Sequence, residues 1–215
     1  KVYLYQLSNY NKVVLQRNKL LKELYLHPDY REVLDVLDMQ LVQYGSALIQ
    51  RRQTFAEELG EIVHRIHSQL SGGQEEMELK YEPNVTVDAF AQMLFANRER
   101  DMRLKTTATG PHRDDIVVNG VDIRKFGSQG QQRTAALSLK LSEIELVKRL
   151  IGDTPVLLLD DVLSELDSGR QNYLLNSIEN IQTLITCTGL DEFINHRFAV
   201  NRIYKVIGGT VTVEN

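Results

Sequence analysis

The stretch "VLLLDDVLSELD", Val156 to Asp167, constrains the fold more than any other part of the sequence. Val156, Leu157, Leu158 and Leu159 run without alternation into two adjacent acids, Asp160 and Asp161. A short unalternating apolar run predicts a strand buried on both faces, as in a parallel sheet. Ligands of such sheets bind at the carboxyl ends of the strands. An aspartate at that end can hold Mg2+ on nucleotide phosphates, often through water. A neighbouring acid can orient or deprotonate an attacking water. The same residues also fit a plainer reading, a buried strand entering a polar turn, with Asp167 capping the next helix.

The context upstream favours the first reading. "FGSQGQQR" opens the helix that precedes the strand. The free N–H groups and dipole of a helix start attract phosphate, and glycines let it approach the backbone. Ser128 and Gln131 have the spacing of a capping box, which is compatible with that use because a cap occupies few of the free N–H groups. A second stretch, "LSGGQ" at Leu70 to Gln74, spells the signature of ATP-binding-cassette proteins. It follows a long helical pattern instead of opening one, and it lies far from the acidic strand. It is therefore rejected as a signature.

Apolar periodicity supplies the rest of the outline. Residues 1 to about 26 predict a helix, and His27-Pro28-Asp29 breaks it. Residues 30 to about 68 predict one long helix of roughly 40 residues, with Gly45 and Gly60 as its weak points. "MELKYE" predicts a strand, residues 88–105 a helix, and "IVVNGVDI" a hairpin turning at Asn119-Gly120. Residues 128–152 predict a helix, 169–181 another, and 183–186 a strand. "RIYKVIGGTVTVEN" predicts a closing hairpin across Gly208-Gly209. The second half thus alternates helix and strand, the pattern of an α/β layer structure.

Composition excludes several classes. A net charge of −4 over 215 residues means that nucleic-acid contact has to come from a local patch. No apolar run is long enough for a bilayer, and no signal-peptide pattern opens the chain, which predicts no membrane contact. The one cysteine, Cys187, fits a reducing cytoplasm and excludes a multi-cysteine zinc site. His64 and His67 share a helical face, but no third ligand accompanies them. The chain opens without Met and in mid-pattern, so a fragment is expected.

"TTATGPHRDDIVVNG", "FGSQGQQRTAALSLKLSEIELV" and "PVLLLDDVLSELD", in that order, resemble the RecF family of bacterial recombination-mediator ATPases. These are relatives of the chromosome-maintenance and double-strand-break-repair ATPases. The opening "YLYQLSNYNKVVLQRN" resembles the segment that follows the family's N-terminal lobe. The resemblance implies an α/β fold: the C-terminal part of a P-loop, ABC-type ATPase head with an inserted helical arm subdomain. Residues 1–106 would be the arm and 107–215 the head part.

The resemblance further implies that Ser128, Gln129, Gly130 and Gln131 form the signature, contacting the γ-phosphate of ATP bound to the opposite subunit. Asp160 would be the Walker B metal carboxylate. Asp161 stands where relatives carry the catalytic Glu. Ser164, Glu165, Leu166 and Asp167 would form the D-loop at the dimer interface. Transporter ATPases carry a switch His after the next strand, where this chain has Thr186, Cys187 and Thr188. That departure argues against a transporter and leaves the γ-phosphate sensor open.

The implied cofactors are ATP and Mg2+. The implied partners are double-stranded and gapped DNA, a second copy in an ATP-dependent homodimer, and RecR and RecO, in a cytoplasmic, nucleoid-associated setting in bacteria. The intact protein would be a slow ATPase. No G-x-x-x-x-G-K-[ST] phosphate loop occurs in this chain, so the chain alone is expected to be inactive. Candidate DNA contacts are Arg51, Arg52, Arg98, Arg103, Lys105 and Arg113; the plainer reading of each is a solvated helix face, and Arg113 could instead pair internally with Asp114 and Asp115. The rivals are another chromosome-maintenance-like ATPase head and a non-enzymatic helical interaction module.

Overall fold

A computed structural model describes residues 1–24, 30–118, 127–188 and 200–214. Its helices are α1 (Val2–Glu23), α2 (Arg31–Leu70), α3 (Phe90–Ala96), α4 (Arg98–Leu104), α5 (Gln129–Ile151) and α6 (Ser168–Ser177). Its strands are β1 (Leu79–Glu82), β2 (Asp115–Val118), β3 (Leu157–Asp160), β4 (Thr183–Thr186), β5 (Ile203–Ile207) and β6 (Thr210–Glu214). The chain forms two compact units, Lys1–Arg65 with Glu76–Gln132, and Ile66–Glu75 with Arg133–Asn215. The boundary expected at 106/107 does not follow this packing. Residues 107–132 belong to the first unit, where Thr107, His112 and Asp114 bond to α1 and α2.

The first unit is built on α1 and α2. The long periodic pattern forms one unbroken helix of 40 residues. Gly45 is no weak point within it. A Cβ there would lie 2.5 Å from Phe90 Cε1 and 3.0 Å from Tyr10 Cε2, so the missing side chain lets two buried rings approach the helix. Tyr10, Leu21, Leu34, Leu41, Leu48, Phe90 and Leu94 lie in one closed core. The helix expected over 88–105 is two short helices that meet at Asn97, whose side-chain amide donates to Thr109 Oγ1.

A buried ion cluster crosses this core. Arg17 is fully buried and donates through Nε to Asp38 and through Nη1 to Asp101, both at 2.7 Å. It also reaches Thr107 Oγ1 at 3.0 Å. The second oxygen of Asp101 accepts the N–H of Ala108. One guanidinium thus ties α1 to α2, to α4 and to the "TTATG" segment, and its desolvation is offset by paired carboxylates.

The same economy fixes "GPHRDD". Asp114 accepts from Arg52 Nη1 at 2.8 Å, from the N–H of Asn84 at 2.9 Å and from the Tyr81 hydroxyl. Tyr10 donates its hydroxyl to His112 Nδ1 at 2.7 Å, and His112 Nε2 donates to the Thr107 carbonyl at 2.9 Å. Burial pushes the Tyr10 hydroxyl pKa up and the His112 pKa down. β2 follows and pairs antiparallel with β1, Tyr81 opposite Ile116. The strand expected at "IVV" therefore exists, with "LKYE" as its observed partner. The Asn119-Gly120 turn and residues 121–126 lie outside the described residues, as do His27, Pro28 and Asp29.

In the second unit β3 and β4 pair in parallel, as the apolar run predicts. Burial on both faces is not observed. Leu159 is buried, whereas Leu158 is 71% and Leu184 56% exposed. Among the described residues this sheet has two strands, and its outward side chains meet no second layer of them within this unit. The buried side chains of the unit include Leu137, Leu141 and Leu146 of α5 and Leu174 and Leu175 of α6. The closing hairpin forms as expected, β5 antiparallel to β6, with Gly208 and Gly209 at positive φ of 54° and 79°. That geometry is a two-residue hairpin turn, open to glycine without strain.

Candidate nucleotide site

The parallel register pairs Asp160 at the end of β3 with Thr186 at the end of β4. The Thr186 hydroxyl donates to Asp160 Oδ1. The next backbone N–H, that of Asp161, is donated to Thr186 Oγ1 at 3.1 Å and to the Thr186 carbonyl at 3.2 Å. Asp161 has a positive φ of 51°, in the left-handed region that a residue with a Cβ adopts at a cost. Ser164 donates its hydroxyl to the Asp161 carbonyl at 2.9 Å. The strand end is thus a short, sharply turned loop held by two hydroxyls, with both carboxylates exposed.

A 3-10 turn over Leu163–Glu165 leads from this loop to α6. Asp167 caps α6, accepting the N–H of Arg170 on Oδ1 at 3.0 Å and pairing with the Arg170 guanidinium through Oδ2. The donated Arg170 N–H holds the Asp167 carboxyl below the usual carboxylate range. The cap that the plainer reading expects is therefore present.

At the start of α5 the capping box of Ser128 and Gln131 forms in both directions. Gln131 N–H donates to Ser128 Oγ at 3.2 Å, and Ser128 N–H donates to Gln131 Oε1 at 2.9 Å. Ser128, Gln129, Gly130 and Gln131 are all exposed. By contrast, "LSGGQ" closes α2. Gly73 N–H is donated to the Ser68 carbonyl at 2.7 Å, and Gly72 and Gly73 take positive φ of 65° and 76°. That is a helix C-terminal cap, the wrong polarity for a phosphate. Nearby, His67 is buried against Ser138 Oγ at 2.9 Å and Glu75 Oε2 at 3.5 Å.

The candidate DNA contacts fall into two groups. Arg52 donates to Asp114, to the Pro111 carbonyl and to the Tyr3 hydroxyl, and Arg98 pairs with Asp35 and Asp38. Both guanidinium groups are therefore committed to holding the first unit together. Arg51, Arg103, Lys105 and Arg113 are exposed. Lys105 is the C-cap of α4, with a positive φ of 56°.

Sequence reasoning weighed Thr186 only as a stand-in for a switch His. Its contact with Asp160 was implicit in the strand lengths, because parallel strands entering the same loop layer end side by side. Among the described residues no three His, Cys, Asp or Glu side chains form a metal-holding group. Mg2+ does not require one, since it is commonly held by one or two carboxylates together with phosphates and water. Asp160 suits that role: Oδ1 is oriented by Thr186, and Oδ2 makes no hydrogen bond among the described residues.

A capped signature-type helix start followed by a parallel strand ending in paired acids defines the class as part of an ABC-type ATPase head. No family model matches the chain. Curated relatives do. The chain is 58% identical to the DNA replication and repair protein RecF of Agathobacter rectalis over 99% of its own length and 59% of that protein. It is 57% identical to that of Lachnospira eligens over 100% of itself and 60% of that protein. A solved structure of the recombination mediator protein RecF-ATP in the RecFOR pathway superposes with a TM-score of 0.84 at 33% identity, covering 99% of this chain and 58% of that one. A second, of RecF-ATPrS, gives 0.82 at 34% identity over 98% and 58%. The chain is thus similar to RecF proteins along essentially its whole length, and it spans about 59% of the length of the curated relatives it matches.

Proposed function

We propose that this chain supplies the signature and Walker B part of a recombination-mediator ATPase acting in DNA replication and repair. The protein would dimerise with ATP, bind double-stranded DNA at gaps, help to load recombinase with RecO and RecR, and let go on hydrolysis. It would do so in the bacterial cytoplasm, associated with the nucleoid. The observation that carries the reading is the acid pair itself, two exposed carboxylates on a tightly held loop at the end of a parallel strand.

The roles follow from position. Asp160 holds Mg2+, which when bound neutralises charge on the phosphates. Asp161 is held in a different backbone conformation from Asp160, so its carboxylate leaves the strand in another direction. It is suited to orienting the attacking water and accepting its proton. Ser128, Gln129, Gly130 and Gln131 present a helix start to the γ-phosphate held by the partner subunit. Asp167 shapes the D-loop by capping α6. Among the basic residues, the exposed Arg51, Arg103, Lys105 and Arg113 are the ones we assign to DNA, since Arg52 and Arg98 are engaged internally.

The test compares Asp160→Asn and Asp161→Asn in a full-length protein carrying this chain. Asp160→Asn is expected to bind Mg–ATP poorly. Asp161→Asn is expected to bind ATP, dimerise and stay dimeric on DNA, with hydrolysis reduced about 10²- to 10⁴-fold. Identical behaviour of the two variants, by nucleotide binding and light scattering, would show that the pair acts as one metal-binding unit.

A further inference from the structure

Cassette transporters keep a γ-phosphate-sensing histidine after the counterpart of β4, where this chain has Thr186, Cys187 and Thr188, and Thr186 is the residue that ends β4. We infer that Thr186 is a positioning residue for both acids and no phosphate sensor, an inference that rests on the nucleotide reading above.

A hydroxyl has one proton to donate and two lone pairs with which to accept. The Thr186 proton goes to Asp160 Oδ1. One lone pair takes the N–H of Asp161 at 3.1 Å, and the Thr186 carbonyl takes the same N–H at 3.2 Å. The register explains why one residue can do this, since Asp160 and Thr186 are direct partners across the parallel pair. The consequences are chemical. The side chain of Asp160 is aimed, with one carboxylate oxygen fixed and the other left for a cation. The backbone of Asp161 is held at its positive φ by two acceptors of the same threonine. A phosphate oxygen is an acceptor and requires a donor, and Thr186 has no proton left while it serves Asp160. Groups that orient a metal's ligands commonly tune metal affinity, and losing one typically costs about 10- to 100-fold.

The experiment measures the Mg2+ concentration that gives half-maximal binding of a fluorescent ATP analogue, with no turnover required. It uses full-length wild type, Thr186→Val, Thr186→Ser and Asp160→Asn. Valine keeps the shape and strand preference and loses the proton; serine keeps the proton. Thr186→Val is expected to shift the Mg2+ midpoint upward about 10- to 100-fold and to reach the same binding amplitude at saturating Mg2+. Thr186→Ser is expected to stay near wild type. An unshifted midpoint in Thr186→Val overturns the inference. So does a Thr186→Ser protein as impaired as Thr186→Val, which would indicate packing. A lost preference for the ATP analogue over its diphosphate counterpart at an unchanged Mg2+ midpoint would make Thr186 a sensor and also overturn it. Asp160→Asn separates the levels: Mg2+-independent, wild-type binding by that variant would remove the nucleotide reading itself, whereas its failure beside an unaffected Thr186→Val removes only the role of Thr186.

Discussion

In the first unit the charged and polar side chains turn inward: Arg17 is buried between Asp38 and Asp101, and Asp114 is covered by Arg52, Tyr81 and the Asn84 N–H. At the acidic strand end of the second unit they stand outward, with Asp160, Asp161 and Asp167 exposed, while Leu158 and Leu184 of the same strand pair are also exposed. The first arrangement pairs Arg17 Nε and Nη1 and both oxygens of Asp101 within its own unit and specifies one geometry for the "TTATGPHRDD" segment. The second holds Asp161 by its backbone and Asp160 by one carboxylate oxygen, and leaves the remaining oxygens of the pair exposed. A motif can thus be prominent in a sequence for either reason, and only the hydrogen-bond partners tell them apart.

Breaking the inward arrangement is the most damaging change. Arg17→Leu leaves Asp101 buried without its cation, while Asp38 keeps only Arg98, and is expected to cost about 3–5 kcal/mol. Chemical denaturation checks this; a loss below about 1 kcal/mol would mean that the carboxylates find water, the typical outcome at exposed pairs. Next comes a contrast between adjacent residues of β3. Leu159→Ala removes a buried side chain and is expected to cost about 2–5 kcal/mol. Leu158→Ala, one residue earlier and on the exposed face, is expected to stay within about 0.5 kcal/mol in this chain. Equal losses at both positions would show that the outward face is covered.

The smallest effect concerns pH. Burial lowers the His112 pKa in the folded state, so at pH values just below its unfolded value, about 6.5, the unfolded chain binds the proton and the folded one does not. His112 therefore contributes stability that is present above about pH 6.5 and declines as pH falls below it. Thermal melts at neutral and mildly acidic pH should show a steeper loss for wild type than for His112→Gln. Parallel losses would exclude His112 as the source.

Much of this was legible in the sequence. Period-3.6 and unalternating apolar patterns located α2, α5, β3 and β4, because those signals come from burial of the segment itself. Pairwise relations were not legible. Arg52 and Arg98 read as basic surface residues because their acceptors, Asp114 and Asp38, lie 62 and 60 residues away. Thr186 and Asp160 are separated by 26 residues and meet only through strand register. The break between α3 and α4 was hidden because Asn97 has no side-chain cap bond to the helix that it opens and is held instead through Thr109. The exposed face of β3 was missed because an apolar run reports what the strand can be buried in, not how many layers one unit provides.

The central claim is that the start of α5 serves a nucleotide bound by another subunit. It is tested most directly by Ser128→Arg in a full-length protein carrying this chain, with ATP affinity and molecular mass in the presence of ATP measured on the same sample. The account predicts near-normal ATP binding by a protein that stays monomeric. A variant that dimerises with ATP as wild type does, or one that loses ATP affinity as a monomer, would contradict it.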